Sequence, residues 1–180
     1  ILFPLKLNAL IEVDITRGNL NPLPIAVSAL YADKDTKEIL KKEIKIDQIG
    51  YEISSVIENN LKATGLFNPL EKKAFLQKPD VAHLKPRFED WSLIKAQALI
   101  TGKVEFKDDK VRVEFRLWDV LAAREMLALA FTTVPNNWRR IGHIISDKIY
   151  ERLTGEEGYF DTRIIYVSEE GPKTQRVKKL

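Results

Sequence analysis

PNNWRRIGHIISDKIYERLTGEEGYFDTRIIYVSEE, residues Pro135 to Glu170, is the stretch whose reading decides the fold. Ile141, Ile144, Ile145, Ile149 and Leu153 recur at three- and four-residue spacing, which lines them along one apolar face of a helix. Asn136 or Asn137 is placed to cap its start, and Gly155 stands where a left-handed C-terminal cap belongs. Beyond Gly158 the period changes. Arg163-Ile164-Ile165-Tyr166-Val167 is a β-branched and aromatic run that suits a strand covered on both faces. A long amphipathic helix leading into a central strand is the spine of an α/β domain.

Working outward, Ala98–Phe106 and Val111–Asp119 read as strands joined by the charged turn Lys107-Asp108-Asp109-Lys110. In the second, Val111, Val113, Phe115 and Leu117 alternate with Arg112, Glu114 and Arg116, so one face is buried and the other wet. Met126–Val134 is a third strand. Asp47–Thr64 is a helix with its stripe on Ile49, Ile53, Val56, Ile57 and Leu61, an N-cap at Asp47 and a stop at Gly65. Leu66-Phe67 folds back on that helix end before Pro69. Phe88, Trp91 and Ile94 mark a shorter helix, and Pro79–Pro86 a loop. Ile25–Tyr31 is the first core strand; Ala32–Lys45, dense in charge, reads as a solvated loop or helix turn. Counting Arg163–Val167, the expectation is α/β: a mixed five-stranded sheet with helices packed on it.

Composition fits one domain. The 180 residues are 44% apolar and 31% charged, typical of a folded globular chain. The net charge of +3, from 29 basic and 26 acidic residues, is too balanced to argue for nucleic acid. Lys173, Arg176, Lys178 and Lys179 supply much of the excess. With no cysteine, disulfides, thiolate metal sites and a cysteine nucleophile are excluded. Ile1–Ala9 carries two readings: a signal-peptide remnant with Ala9 before the cleavage point, or a short strand or added leader.

The chemistry-bearing residues are sparse. His143 lies between Arg139 and Asp147 on the long helix, one turn from each, without HExxH or a second histidine nearby. His83 stands in a loop without an evident partner. Gly102, Gly142, Gly155 and Gly158 match neither the Walker pattern nor GxGxxG. Trp138-Arg139-Arg140 sets an aromatic beside two cations, a pattern shared by anion sites and by arginines that cover apolar surface or pair with acids. The segment Glu12-Val13-Asp14-Ile15-Thr16, alternating polar with apolar ahead of the Gly18–Pro24 break, is suited to joining another sheet edge as an added strand. It also reads as the first strand of its own domain.

Several blocks carry a family resemblance: Asn21-Pro22-Leu23-Pro24-Ile25-Ala26-Val27, Asn60-Leu61-Lys62-Ala63-Thr64-Gly65-Leu66-Phe67, Phe88-Glu89-Asp90-Trp91, Ala98-Leu99-Ile100-Thr101-Gly102, Arg116-Leu117-Trp118-Asp119 and Lys148–Gly155. With Gly158-Tyr159-Phe160-Asp161-Thr162-Arg163-Ile164-Ile165-Tyr166-Val167, their order and spacing over Ile11–Gly171 resemble the N-terminal domain of the TolB family. The resemblance implies an α/β domain similar to anticodon-binding domains in fold, in a periplasmic protein of the Tol–Pal cell-envelope system. It also implies a following six-bladed β-propeller. On that footing residues 1–9 are a possible signal remnant, 10–21 an extended partner-binding segment, 22–170 the domain, and 171–180 a linker towards a propeller missing from the sequence.

The resemblance further implies a non-enzymatic interaction domain without cofactor or metal, serving outer-membrane integrity, envelope constriction during cell division, protein import and colicin translocation. The N-terminal segment corresponds by position to the strand that contacts TolA. Ile11, Glu12, Val13, Asp14, Ile15, Thr16, Arg17 and Leu20 are therefore the expected partner-binding residues, with Val13 and Ile15 seated on one face. Pal is expected to engage mainly the propeller. A nucleic-acid partner and a membrane span are not expected. The alternative is an RNA- or anion-binding module built on Arg139, Arg140 and the basic tail; a hydrolase using His143 and Asp147 is a third reading.

Overall fold

The computed structural model describes Ile11, Val13 and residues 21–162, 168–170 and 177–179. The expected strand Arg163–Val167, residues 1–9 and most of the linker therefore lie outside the described residues.

A mixed sheet is the frame. Strands β1 (Leu23–Val27), β2 (Tyr31–Ala32), β3 (Phe67–Pro69), β4 (Ala98–Lys107), β5 (Lys110–Asp119) and β6 (Arg124–Thr133) run in the order β3-β1-β4-β5-β6, with β2 beside β4. Because β1 and β2 both pair parallel with β4, β2 prolongs β1 along the same edge, so six segments fill five positions. β1 also pairs parallel with β3, while β4, β5 and β6 form an antiparallel meander. Asp108 and Asp109 take φ +52° and +56° in a two-residue turn, the paired left-handed geometry that matches strand twist. A separate antiparallel pair joins β7 (Ser168–Glu170) to β8 (Val177–Lys179).

Five α-helices are present among the described residues, α1 (Lys34–Ile44), α2 (Ile49–Ala63), α3 (Pro79–Ala82), α4 (Phe88–Leu93) and α5 (Trp138–Thr154), with single 3-10 turns at Lys72–Ala74 and Pro135–Asn137. The main core lies between α2, α5 and one sheet face. It holds Ile25, Val27, Ile53, Ile57, Ile100, Val113, Phe115, Ile145 and Ile149, all at most 1% exposed. Among the described residues, Trp91, Ala82, Ala96 and Val120 cover one end of the opposite face and bury Leu99 and Ala26. Gln77 locks that cover, accepting from Trp91 Nε1 and from the Arg87 amide, each at 2.8 Å.

Five local expectations change. Pro79–Pro86 is not all loop, since Pro79–Ala82 forms α3 with the proline at the helix start. Residues 34–44 form an eleven-residue helix rather than a loop or a single helix turn, because the Asp33 side chain accepts from Thr36 N at 2.7 Å, while Thr36 and Leu40 supply a narrow buried stripe. Phe67–Pro69 is a strand, since Leu23 N and Leu70 N bond across the β1 edge on either side of it. The first core strand breaks after Val27, where the Leu30 backbone turns aside to meet Gly50 N-terminally on α2. A Cβ at Gly50 would stand 1.8 Å from Leu30 O, so this contact requires glycine. The caps differ too: Asp47 pairs with Lys41 at 2.8 Å, Gln48 occupies the α2 N-cap, and Asn137 holds the α5 N-cap without a side-chain bond.

Candidate functional site

The C-terminal end of α5 is where the N-terminal arm meets the domain. Gly155 takes φ +77° and its amide returns to Glu151 O at 2.9 Å, while Thr154 Oγ1 donates to Tyr150 O at 2.8 Å. A helix cannot satisfy its last carbonyls internally. The Leu153 carbonyl finds its partner in the arm: Val13 N donates to it at 2.7 Å. Val13 is 4% exposed and joins the main core, and Ile11 packs half-buried against the same cluster. Of the expected partner-binding residues, Glu12, Asp14, Ile15, Thr16, Arg17 and Leu20 lie outside the described residues.

An aromatic cluster surrounds this docking point. Tyr150 meets Phe67 edge-on at 6.4 Å, Tyr159 at 5.6 Å and Phe160 at 6.0 Å between ring centroids. Burial, together with Tyr159 and Glu156 nearby, raises the Tyr150 phenol above its ordinary pKa. Tyr159 and Phe160 are held there by a loop that closes back on α5. Asp147 accepts from Phe160 N at 2.6 Å and Asp161 N at 3.1 Å, and Arg140 grips the Asp161 carboxylate with Nε and Nη2 at 3.0–3.1 Å. Gly158 passes so close that a Cβ would lie 2.4 Å from Asp147 Cα. The arm and the loop leaving α5 thus converge on one helix turn.

The residues of the other readings have structural employment. Asn60 Nδ2 donates to His143 Nδ1 and to Ser146 Oγ, both at 2.9 Å, tying α2 to α5. His143 therefore serves the helix interface and Asp147 the loop, so they do not act as a pair. Arg139 stacks on the Trp138 ring at 4.9 Å and Arg140 is committed to Asp161. His83 stacks on Tyr31 at 4.4 Å between centroids. Among the described residues no three His, Cys, Asp or Glu side chains are grouped to hold a metal, and no helix is long and apolar enough to cross a membrane.

Sequence reading missed the contribution of Leu153, Phe67 and the Asp147–Asp161 loop to this site. One signal was present: a glycine cap at 155 leaves last-turn carbonyls in need of partners. Which segment supplies the partner is a tertiary fact.

Comparison with known proteins bears on this geometry. Residues 11–126 match the family model of the TolB amino-terminal domain, a match that begins on the first described arm residue. All 180 residues align at 74% identity with the Tol-Pal system protein TolB of Pelagibacter ubique (strain HTCC1062), covering 100% of this chain and 40% of that protein. The crystal structure of TolB from Acinetobacter baumannii superposes with a TM-score of 0.62 over 82% of this chain and 32% of its own, at 24% identity, a likeness of fold.

Proposed function

We infer the function from one premise: this chain belongs to the TolB amino-terminal domain family. It acts as a non-enzymatic interaction domain of the Tol–Pal system in the periplasm, contributing to outer-membrane integrity and to envelope constriction during division. Its work is done by the arm from Ile11 to Leu20, which binds TolA by adding a strand to TolA's sheet. Pal engages chiefly the propeller that follows in longer relatives. The same contacts account for protein import and colicin translocation through the system.

The observation that carries this reading is the docking of Val13. One backbone hydrogen bond and one buried valine hold the arm to the domain at that position. A net hydrogen bond is worth about 1 kcal/mol and a fully buried valine about 1.5–3 kcal/mol, a sum small enough for a partner's strand to replace. Val13 N, bonded to Leu153 O when docked, becomes a ladder donor when released. Docked and paired states therefore exclude one another at this amide, and anything that favours docking reduces the fraction of chain able to bind.

Titration of the TolA C-terminal domain into isotope-labelled protein tests this. Amide shifts across residues 11–20, lost on Val13→Pro, are the expected result. Unchanged affinity after deletion of residues 11–20 would reject the arm as the binding element. The anion-binding reading has less support, since Arg140 is already held by Asp161 and Arg139 by Trp138.

A further inference from the structure

The polar cluster between α2 and α5 has two ways to satisfy itself. Asn60 of α2 places its amide nitrogen 2.9 Å from both His143 Nδ1 and Ser146 Oγ of α5. Ser146 is fully buried, whereas Asn60 and His143 are half-buried, so the ring can exchange protons with solvent. The single hydroxyl proton of Ser146 goes to Gly142 O at 2.8 Å, so Ser146 Oγ accepts from Asn60. The Asn60 group at this corner is therefore its NH2, and its second N–H goes to His143 Nδ1. A ring nitrogen that accepts carries no proton. His143 is thus the neutral imidazole with its hydrogen on Nε2. His83 is the opposite case: its Nδ1 bonds at 2.9 Å to Pro79 O, which can only accept, so Nδ1 carries the hydrogen there.

Turning the Asn60 amide over would bring Oδ1 to the corner, to accept from a protonated Nδ1 and from Ser146. That makes two hydrogen bonds where the observed arrangement makes three, the difference being the bond to Gly142 O. A second proton on His143 reverses the preference. Nδ1–H then faces the Asn60 N–H, donor against donor, and only the two bonds of Ser146 survive. The turned amide also keeps two bonds, without the clash, and the one from the cationic ring is charge-assisted. Neighbouring charges are engaged elsewhere. On α5, Arg139 lies on the Trp138 ring, Asp147 is bonded to the Phe160 and Asp161 amides, and Arg140 is paired with Asp161. Glu156 and Glu157 follow in the loop leaving α5. On α2, Glu58 and Lys62 stand two residues from Asn60 and so on other faces of the helix, and Glu58 pairs with Lys72. Pro135–Asn137 is uncharged, and β5 meets α5 through Val113 and Phe115. β6 meets it at Arg152, nine residues on and half a turn round the helix from His143, where Arg152 Nε donates to Met126 O at 3.3 Å.

We propose that His143, Asn60 and Ser146 form a proton-driven switch. A proton gained at His143 Nδ1 turns the Asn60 amide over and swings the Ser146 hydroxyl from Gly142 O to Asn60 Oδ1, so that α2 stays tied to α5 in both states. The side chain at position 60 has to be an amide, since only an amide offers donors at one end and an acceptor at the other. The helix held through the change is the one whose last turn receives Val13, so the arm's dock keeps its place as the ring titrates.

Nitrogen-15 spectra of the imidazoles in the full chain test this, with His83 as the internal standard for a proton on Nδ1. In the neutral ring of His143 the proton should favour Nε2 over Nδ1 by about five-fold, the ratio that one net hydrogen bond gives. On acidification from about pH 8 to about pH 5, the Asn60 side-chain amide and the Ser146 Cβ signal should move together with the His143 ring. Asn60→Asp presents only acceptors and should place the neutral ring's proton on Nδ1. Ser146→Ala deletes one oxygen, so it carries the test even if the aspartate variant does not fold; with the hydroxyl gone, the two nitrogens should share the proton within about two-fold. A proton on Nδ1 of the parent's neutral His143 overturns the proposal, as do Asn60 signals that stay still while the ring titrates. A Ser146→Ala chain that keeps the parent's ratio overturns the part given to the hydroxyl.

Discussion

Val13→Ala separates an arm that opens by itself from one that is part of the core. The substitution removes two methyl groups from a side chain 4% exposed, worth about 1–2 kcal/mol from lost burial and residual cavity. Because one described backbone bond, Val13 N to Leu153 O, ties the arm at that point, the loss should fall on docking and leave the sheet intact. Hydrogen exchange reads the difference directly. The residue 13 amide should exchange about 5- to 30-fold faster, the factor corresponding to that energy, while Ile145 and Ile149 amides in α5 keep their protection. Thermal unfolding of the body should move by less than the about 2–4 °C per kcal/mol expected for a core change in a chain of this size. Uniform loss of protection across α5, with the full drop in unfolding temperature, would refute the view that the arm is a releasable element.

Three other outcomes follow from the packing. Asp147→Ala removes the acceptor for Phe160 N and Asp161 N, which should cost about 1–3 kcal/mol and open residues 155–161 to limited proteolysis. Gly50→Ala sets a methyl against the Leu30 carbonyl and should cost about 3 kcal/mol or more in urea unfolding; Gly65→Ala, with open space but φ +73°, should cost only about 1 kcal/mol. Asp33→Ala should cost about 1 kcal/mol at neutral pH through loss of the α1 cap. The Thr36 amide, then its hydroxyl, lowers the Asp33 pKa, so the cap's contribution is present above the ordinary aspartate range and disappears as pH falls through the depressed folded value. Stability curves of variant and parent should therefore converge in acid and diverge above about pH 4.

The strongly periodic elements were legible. In α5, Ile141, Ile145, Ile149 and Leu153 face the core and Gly155 ends the helix, while Ile144 stands half-buried beside that stripe. The meander followed from alternation in β5, and Asp108-Asp109 from turn chemistry. What escaped did so for identifiable reasons. α1 has only Thr36 and Leu40 buried, too narrow a stripe to emerge from eight surrounding charges in residues 33–43. β3 is three residues at a sheet edge, shorter than any period. Asp47 has the chemistry of a cap, but Lys41 claims its carboxylate. Of the candidate site, the glycine stop at Gly155 was legible, whereas the partner of the Leu153 carbonyl is the Val13 main-chain amide, which no side-chain pattern encodes.

The placement of β1 bears on how this domain carries load. The arm leads through residues 14–20 into β1, which is flanked by β3 on one side and β4 on the other. Pulling on the arm first breaks the Val13–Leu153 tie, the one backbone bond described there, which yields early. Tension then enters β1 along its own axis, where the bonds to both neighbours lie across the pull and must fail together. A partner gripping the arm meets a stop there. The arm is fastened to an interior strand of the sheet, so force from outside arrives where two neighbours share it.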